Sequence, residues 1–230
     1  MKSTTKKLAA IFLGPPGSGK SSVAEQLEAE EHTATINTGR ILRKEINKQS
    51  DLGEKIKDYI QQGKLAPTPL VKEAVSKILA DTDEEYVVFD GFPRSRSQLK
   101  EFGEICRDNN CELTAVVIFE TNREVARKRL TGRRICEYDG RIYNLYFNPP
   151  PGDSPCAKDK SLLTQRDDDK AETVENRFEE YDETTRPLVE FFLTENPGIT
   201  HSINTEKEME EMFVSVLSTL KQAGWNKLPV

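Results

Sequence analysis

The chain has 230 residues, a formal net charge of −6, 31% charged residues and 36% hydrophobic ones. That length buries a sizeable core, the acidic balance argues against general nucleic-acid binding, and no apolar run approaches the ~20 residues a membrane span needs. Four cysteines in a chain this long make no disulfide scaffold, so a reducing, cytoplasmic setting is expected.

The basic opening "MKSTTKK" leads into the apolar "LAAIFL" (8–13). Basic then apolar is the order of a signal peptide. Here the apolar run is too short and enters a glycine-rich motif directly, so a buried first strand is expected. "SSVAEQLEAEE" reads as a helix and "TATIN" (33–37) as a second strand. Residues 38–80 carry a helical pattern, broken at 47–51, at Gly63 and at "APTP", where Pro67 and Pro69 suit a helix start. "YVVFD" (86–90) and "LTAVVIF" (113–119) are buried strands flanking the helical "RSQLKEFGEICRDNN", and "NREVARKRL" is helical. Strands alternating with helices predict an α/β fold with a parallel sheet covered on both faces. Residues 133–168 break this rhythm with the strand-and-turn pattern "DGRIYNLYF" and the proline loop "NPPPGDSP", an insertion with its own small β structure. Helix returns over 170–193, "ITHSI" gives a fifth strand, and 206–222 reads as a closing amphipathic helix.

Two stretches carry chemistry. "GPPGSGKS" (14–21) fits G-x-x-x-x-G-K-[ST] and stands between a strand and a helix. Its glycines let backbone N–H groups turn around phosphate oxygens, Lys20 reaches the outer phosphates, and the helix N-terminus adds partial positive charge. The second stretch, "VVFDGFPRS", ends a buried strand in Asp90. Sites in doubly wound sheets lie outside the carboxyl ends of strands, so Asp90 is expected near the phosphate loop, holding Mg²⁺ directly or through water, with Arg94 in the same cleft.

With these motifs, "TGRILR", "DGFPRSRSQ", "GRRI", "GRIYNLYFNPP" and "QRDDDKAETVENR" stand in a familiar order and spacing. The chain resembles the adenylate kinases, long-lid members of the nucleoside monophosphate kinases, over about residues 8–220. The resemblance implies a P-loop three-layer fold with a five-stranded parallel sheet, a helical AMP-binding lobe and a small β-rich lid. It implies a core of 1–36, 67–131 and 170–230, an acceptor lobe of 37–66 and a lid of 132–169. The implied reaction is reversible phosphoryl transfer from ATP to AMP giving two ADP, by a cytoplasmic monomer with no nucleic-acid or membrane partner. A GTP-using enzyme and a catalytically silent nucleotide-binding protein are the alternatives. The insertion disfavours a short-lid UMP/CMP kinase.

Position by position, the resemblance assigns Gly17, Ser18, Gly19, Lys20, Ser21 and Ser22 to the donor phosphates. Arg129, Arg133, Ile142 and Tyr143 would meet the rest of the donor nucleotide. Thr38, Arg43, Lys64, Leu65, Ala66, Gly91, Phe92, Pro93, Arg94 and Gln98 would hold AMP. Arg166 and Arg177 would clamp phosphates on closure, and Asp168 and Asp169 match the family's lid-hinge carboxylates. Lys20, Arg94, Arg133, Arg166 and Arg177 form the expected catalytic set. The chemistry agrees on its own terms. AMP phosphate is already anionic at neutral pH, so it needs no general base; what opposes reaction is repulsion between polyanions, which cations and Mg²⁺ relieve. His32 and His201, the only histidines, sit in no motif.

In the lid, "ICEYD" and "PCAKD" repeat C-x-x-D, giving Cys136, Asp139, Cys156 and Asp159. Some relatives carry zinc at these positions. This quartet suits a structural Zn²⁺ site, although two thiolates and two carboxylates leave it at a net −2. A hydrogen-bonded polar cluster and a Cys136–Cys156 disulfide are the other readings. Two features depart from the family. Arg40 follows "TG" where an acidic residue is common, either facing solvent or adding a cation near the AMP phosphate. The tail "GWNKLPV" has no functional account, and Cys106 and Cys111 read as ordinary core or surface cysteines.

Overall fold

The computed structural model describes residues 6–30, 32–151 and 156–228. Parts of the proline loop (152–155) and of the tail (229–230) lie outside the described residues. In chain order the elements are β1 (Lys7–Leu13), α1 (Lys20–Glu28), β2 (Thr33–Asn37), α2 (Thr38–Asn47), α3 (Asp51–Gln61), α4 (Thr68–Ala80), β3 (Tyr86–Asp90) and α5 (Gln98–Asp108). There follow β4 (Cys111–Glu120), α6 (Arg123–Thr131), β5 (Arg133–Cys136), β6 (Ile142–Asn144), β7 (Leu163–Thr164), α7 (Ala171–Glu180), α8 (Arg186–Glu195), β8 (Thr200–Asn204) and α9 (Met209–Gln222).

A five-stranded parallel sheet runs in the order β2-β3-β1-β4-β8. Its central strands β3, β1 and β4 are largely apolar on both faces, and alternate side chains divide between two cores. Ala9, Ile11, Val87, Phe89, Val116 and Ile118 meet Val75, Leu79, Phe102, Ile105, Leu188 and Phe192 from α4, α5 and α8. Ala10, Phe12, Val88, Val117 and Phe119 meet Val23 and Leu27 of α1 and Met212, Val216 and Leu220 of α9. The result is the expected three-layer α/β fold. Each such fully buried apolar side chain stabilises by about 1.5–3 kcal/mol.

Two insertions leave this frame. The first is the hairpin of α2 and α3, each capped by a side chain: Asn37 accepts from the Arg40 N–H, and Ser50 from the Gly53 N–H. A Cβ at Gly53 would lie 2.3 Å from the Glu45 carbonyl oxygen, so this glycine is what lets the two helix backbones touch. The second is a three-stranded antiparallel sheet in the order β6-β5-β7, the β-rich insertion expected between 133 and 168. The long helix expected over 170–193 is divided by a π turn at Tyr181–Thr185.

The tail is structural. Trp225 is fully buried, stacks on Tyr86 at 4.8 Å between ring centroids, and donates its indole N–H to the Thr114 hydroxyl at 3.0 Å. The Lys227 N–H donates to the Tyr86 hydroxyl, and the Lys227 ammonium pairs with Glu85. Cys106 is buried in the core and Cys111 half-buried beside it.

Candidate active site

The site opens at the carboxyl ends of β1, β2 and β3. The loop after β1 turns into α1 through Gly19, whose φ of 89° is left-handed backbone that glycine tolerates. The Lys20 ammonium donates to the carbonyls of Gly14 and Pro15, each at 2.9 Å, and so folds over the loop. Strand register sets both Phe12 and Asn37 beside Asp90. One oxygen of that carboxylate, Oδ2, accepts from the Ser21 hydroxyl at 2.5 Å and from the Asn37 amide at 2.6 Å. In the next turn Thr38 donates to the Gly91 carbonyl at 2.8 Å, and so does Arg94 Nε at 3.0 Å. The Arg94 backbone is held on both sides. Its N–H donates to Gln98 Oε1 at 2.7 Å, and its carbonyl accepts from the Thr185 hydroxyl at 2.8 Å.

Facing this floor is a knot of arginines around Asp168 and Asp169. Arg133 grips Asp169 with both arms of its fork, at 2.7 and 2.6 Å. Arg177 reaches Asp168 Oδ2 at 3.3 Å and Asp169 Oδ1 at 3.1 Å, and Arg43 of α2 reaches Asp168 Oδ2 at 3.6 Å. Asp168 and Asp169 thus tie α2, β5 and α7 together. Burial works against the charge of Asp168, but Arg177, Arg43 and Arg133 hold its carboxyl below the usual range. Arg129 donates through Nη2 to the Thr205 carbonyl at 2.8 Å and lies 5.8 Å over the Phe147 ring. Its Nη1 is buried without a hydrogen-bond partner, an unmet donor in the wall of a cleft.

That cleft has a volume of about 870 Å³. Its lining brings together nearly every expected site residue: Gly17, Gly19, Lys20, Ser21, Ser22, Thr38, Arg43, Lys64, Leu65, Ala66, Asp90, Gly91, Pro93, Arg94, Gln98, Arg129, Arg133, Ile142, Tyr143, Arg166 and Arg177. Ser18 and Phe92 stand apart. Ser18 is fully buried within the loop, its hydroxyl taken by Lys20, and the Phe92 ring packs in the core beside Phe102. Arg40 is also outside the lining; its guanidinium grips Glu28 of α1 through two contacts of 2.8 Å. Asn37, Asn144, Phe147 and Thr185 line the cleft and were not anticipated. Asn37 could have been found as a polar end to an apolar strand just before a helix; the others carry no local signal.

Cations outnumber carboxylates here, and their protonation shows it. Burial, aided by Arg94 and Arg177 and opposed by Asp90, brings the Lys20 ammonium down to about 8. Burial and the nearness of Arg133 and Arg43 bring Arg166 down to about 9. Arg94 and Arg43 are lowered as well, burial again leading. Such a constellation is electrostatically incomplete until polyanions enter it.

Comparison with known proteins agrees. The family model described as "Adenylate kinase" matches residues 12–197. Similar curated proteins include adenylate kinases of Thermotoga petrophila (39% identical, covering 94% of this chain and 97% of that one) and Hydrogenobaculum sp. (37%; 91% and 99%). Another, from Listeria innocua, is 38% identical over 90% of this chain and 95% of its own. The chain belongs to the adenylate kinase family. The resemblance read from the motifs is therefore confirmed along almost the whole sequence.

The lid of this adenylate kinase-family chain brings its two C-x-x-D stretches together. Both make the same turn. The Cys136 N–H donates to the Arg141 carbonyl and the Gly140 N–H to the Cys136 carbonyl, each at 2.9 Å; Cys156, Ser161 and Lys160 repeat both bonds at the same length. Gly140 (φ 72°) and Lys160 (φ 64°) take left-handed backbone at the same offset. Each thiol faces the other turn's carboxylate, with Cys136 Sγ 3.7 Å from Asp159 and Cys156 Sγ 4.0 Å from Asp139. Both thiols are free and fully buried, so the disulfide reading does not describe this structure. Ligand atoms of Cys136, Cys156 and Asp159 lie within 4.8 Å of one another. Ser161 donates to Asp159 at 2.9 Å and contacts Cys136 at 3.3 Å. Tyr143 closes this small core, with its hydroxyl 3.6 Å from Cys156 and accepting from the Ala157 N–H.

Proposed function

We propose that the cleft transfers the terminal phosphoryl group of ATP reversibly to AMP, giving two ADP. The observation that carries this reading is the facing of two phosphate-binding devices across one cleft. A phosphate loop with Lys20 lies on one side, and Arg43, Arg94 and Arg177 lie on the other. ATP phosphates rest on Gly17, Gly19, Lys20, Ser21 and Ser22, with the donor base near Arg129, Ile142 and Phe147. AMP lies between Thr38, the 64–66 segment and Gln98, its phosphate between Arg43 and Arg94. Arg133 and Arg166 approach the transferring group from the lid base. No base is needed for an acceptor that is already anionic, so the residues act by holding two polyanions in line and cancelling their repulsion. In this reading the core, acceptor lobe and lid keep the bounds proposed from the sequence, and closing the lid excludes water. We further propose a cytoplasmic monomer. Among the described residues no helix is long and apolar enough to cross a membrane.

Two metals fit the residues present. The Ser21 hydroxyl and Asp90 carboxylate, already in contact, are hard oxygen donors suited to Mg²⁺ carried by ATP. Bound there, Mg²⁺ would neutralise developing phosphate charge. In the lid, Cys136, Cys156, Asp159 and Asp139 suit a structural Zn²⁺, because tetrahedral bonds of about 2.0–2.3 Å set ligand atoms roughly 3.3–3.8 Å apart. Two like turns that bring both thiols and Asp159 within 4.8 Å of one another support zinc over a purely hydrogen-bonded cluster, with Asp139, 4.0 Å from Cys156 Sγ, as the fourth ligand of this reading.

The test is a phosphorus NMR assay of the purified protein with AMP, Mg²⁺ and either ATP or GTP. ADP formation with ATP, and much slower turnover with GTP, is the expected result. Equal or faster turnover with GTP would replace the donor assignment, and no turnover with either would leave a silent binding protein.

A further inference from the structure

Asn37 has no assigned role, yet its side chain touches both halves of the site. It is the last residue of β2 and the N-cap of α2, and it is 5% exposed. Its Oδ1 accepts from the Arg40 N–H at 2.8 Å, which holds the first turn of the helix carrying Thr38 and Arg43. Its Nδ2 donates to Asp90 Oδ2 at 2.6 Å. Asp90 is itself 3% exposed and takes a second bond on that same oxygen from Ser21.

We propose that Asn37 is a positioning residue for phosphoryl transfer, one amide that sets the acceptor lobe and the donor-side carboxylate in register with each other. The chemistry is specific to asparagine. A short side chain must accept from a helix N-terminus and donate to a carboxylate at once, without adding charge. Aspartate caps a helix equally well but cannot donate, and it would set a second carboxylate against Asp90. Serine caps but reaches less far. Because both bonds fall on Oδ2, the amide and Ser21 together fix the carboxylate plane and leave Oδ1 for the cleft. The far side of the same turn is anchored by Arg40 on Glu28, so both ends of the turn are tied to the core. The inference rests on the proposed placing of AMP at α2 and of Mg²⁺ at Asp90.

The experiment compares Asn37→Asp, Asn37→Ser and Asn37→Ala with wild type and with Asp90→Asn. Readouts are melting temperature, calorimetric AMP affinity without Mg²⁺, and kcat and KM for both nucleotides. Asn37→Ser should keep a melting temperature close to wild type, since it retains a cap and adds no charge, whereas Asn37→Asp retains the cap but sets a buried carboxylate against Asp90 and should melt lower. Asn37→Ser should nonetheless lose about tenfold or more in kcat, with the KM for ATP changed less than about threefold, and Asn37→Asp should lose at least as much. Asn37→Ala should in addition weaken metal-free AMP binding several-fold. Wild-type kcat in Asn37→Asp alongside a crippled Asp90→Asn would overturn the role of Asn37 alone. Wild-type kcat in Asp90→Asn would overturn the assignment of Asp90 and the inference with it. Losses in kcat that merely follow melting temperature across the three variants would reduce Asn37 to a helix cap.

Discussion

At Lys20 the site's purpose is written in its acid–base chemistry. The ammonium is lowered to about 8 by burial and neighbouring arginines, so above that pH the empty site favours the neutral amine. Donor phosphates favour the charged form and raise the value again. Nucleotide binding at about pH 8.5 should therefore take up protons, and calorimetry in buffers of different ionisation enthalpy will show it. A heat independent of buffer would contradict this environment for Lys20. Arg40 is the opposite case. Its guanidinium is spent on Glu28 rather than on the cleft, so Arg40→Asp should change the KM for AMP by less than about tenfold. Loss of a half-exposed pair, about 0.2–1 kcal/mol, and gain of a carboxylate in a first helical turn, about 0.3–1 kcal/mol, nearly offset each other in stability. A large, AMP-specific shift would restore Arg40 to the acceptor site. Lys20, Asp90, Arg94 and Arg177 were legible in the sequence because each stands in a motif whose spacing reports its place. Asn37 left only the cue of a polar residue between strand and helix, and Thr185 left none, because their partners depend on which strand or turn lies opposite.

Among the elements, strands were read most surely, since apolar runs in a doubly covered parallel sheet admit little else. Boundaries moved by a few residues: β4 begins at Cys111 and α9 at Met209. The π turn at Tyr181–Thr185 was invisible, because a single wide turn leaves the amphipathic pattern on both sides intact. It matters, since Thr185 holds the Arg94 carbonyl. The lid carries the sharpest element-scale prediction. Protein purified without chelator should contain about one zinc per chain, and chelator should loosen the lid before the core. Elemental analysis and hydrogen exchange over 133–164 measure both. Absence of zinc, with exchange unchanged by chelator, would leave the cluster to its hydrogen bonds.

For the molecule as a whole, stability and chemistry sit at opposite ends of the sheet. Trp225 stacks on Tyr86, the first residue of β3, whereas Asp90 is its last. Trp225→Ala should cost about 3–5 kcal/mol of stability and leave kcat and both Michaelis constants near wild type at a temperature where it is folded. The cleft, by contrast, is rich in cations, with α2, β5 and α7 meeting through Arg43, Arg133, Arg177 and the Asp168–Asp169 pair. In the proposed function these cations serve transfer between two nucleotides rather than stability. Its most direct test is ADP formation from ATP and AMP by Arg94→Ala, measured beside its melting temperature. The expected result is a loss in kcat/KM of about a hundredfold or more, from removal of a charge-assisted phosphate contact, with melting changed by no more than a few degrees. Near-normal turnover in that variant, or a loss explained by unfolding, would contradict it.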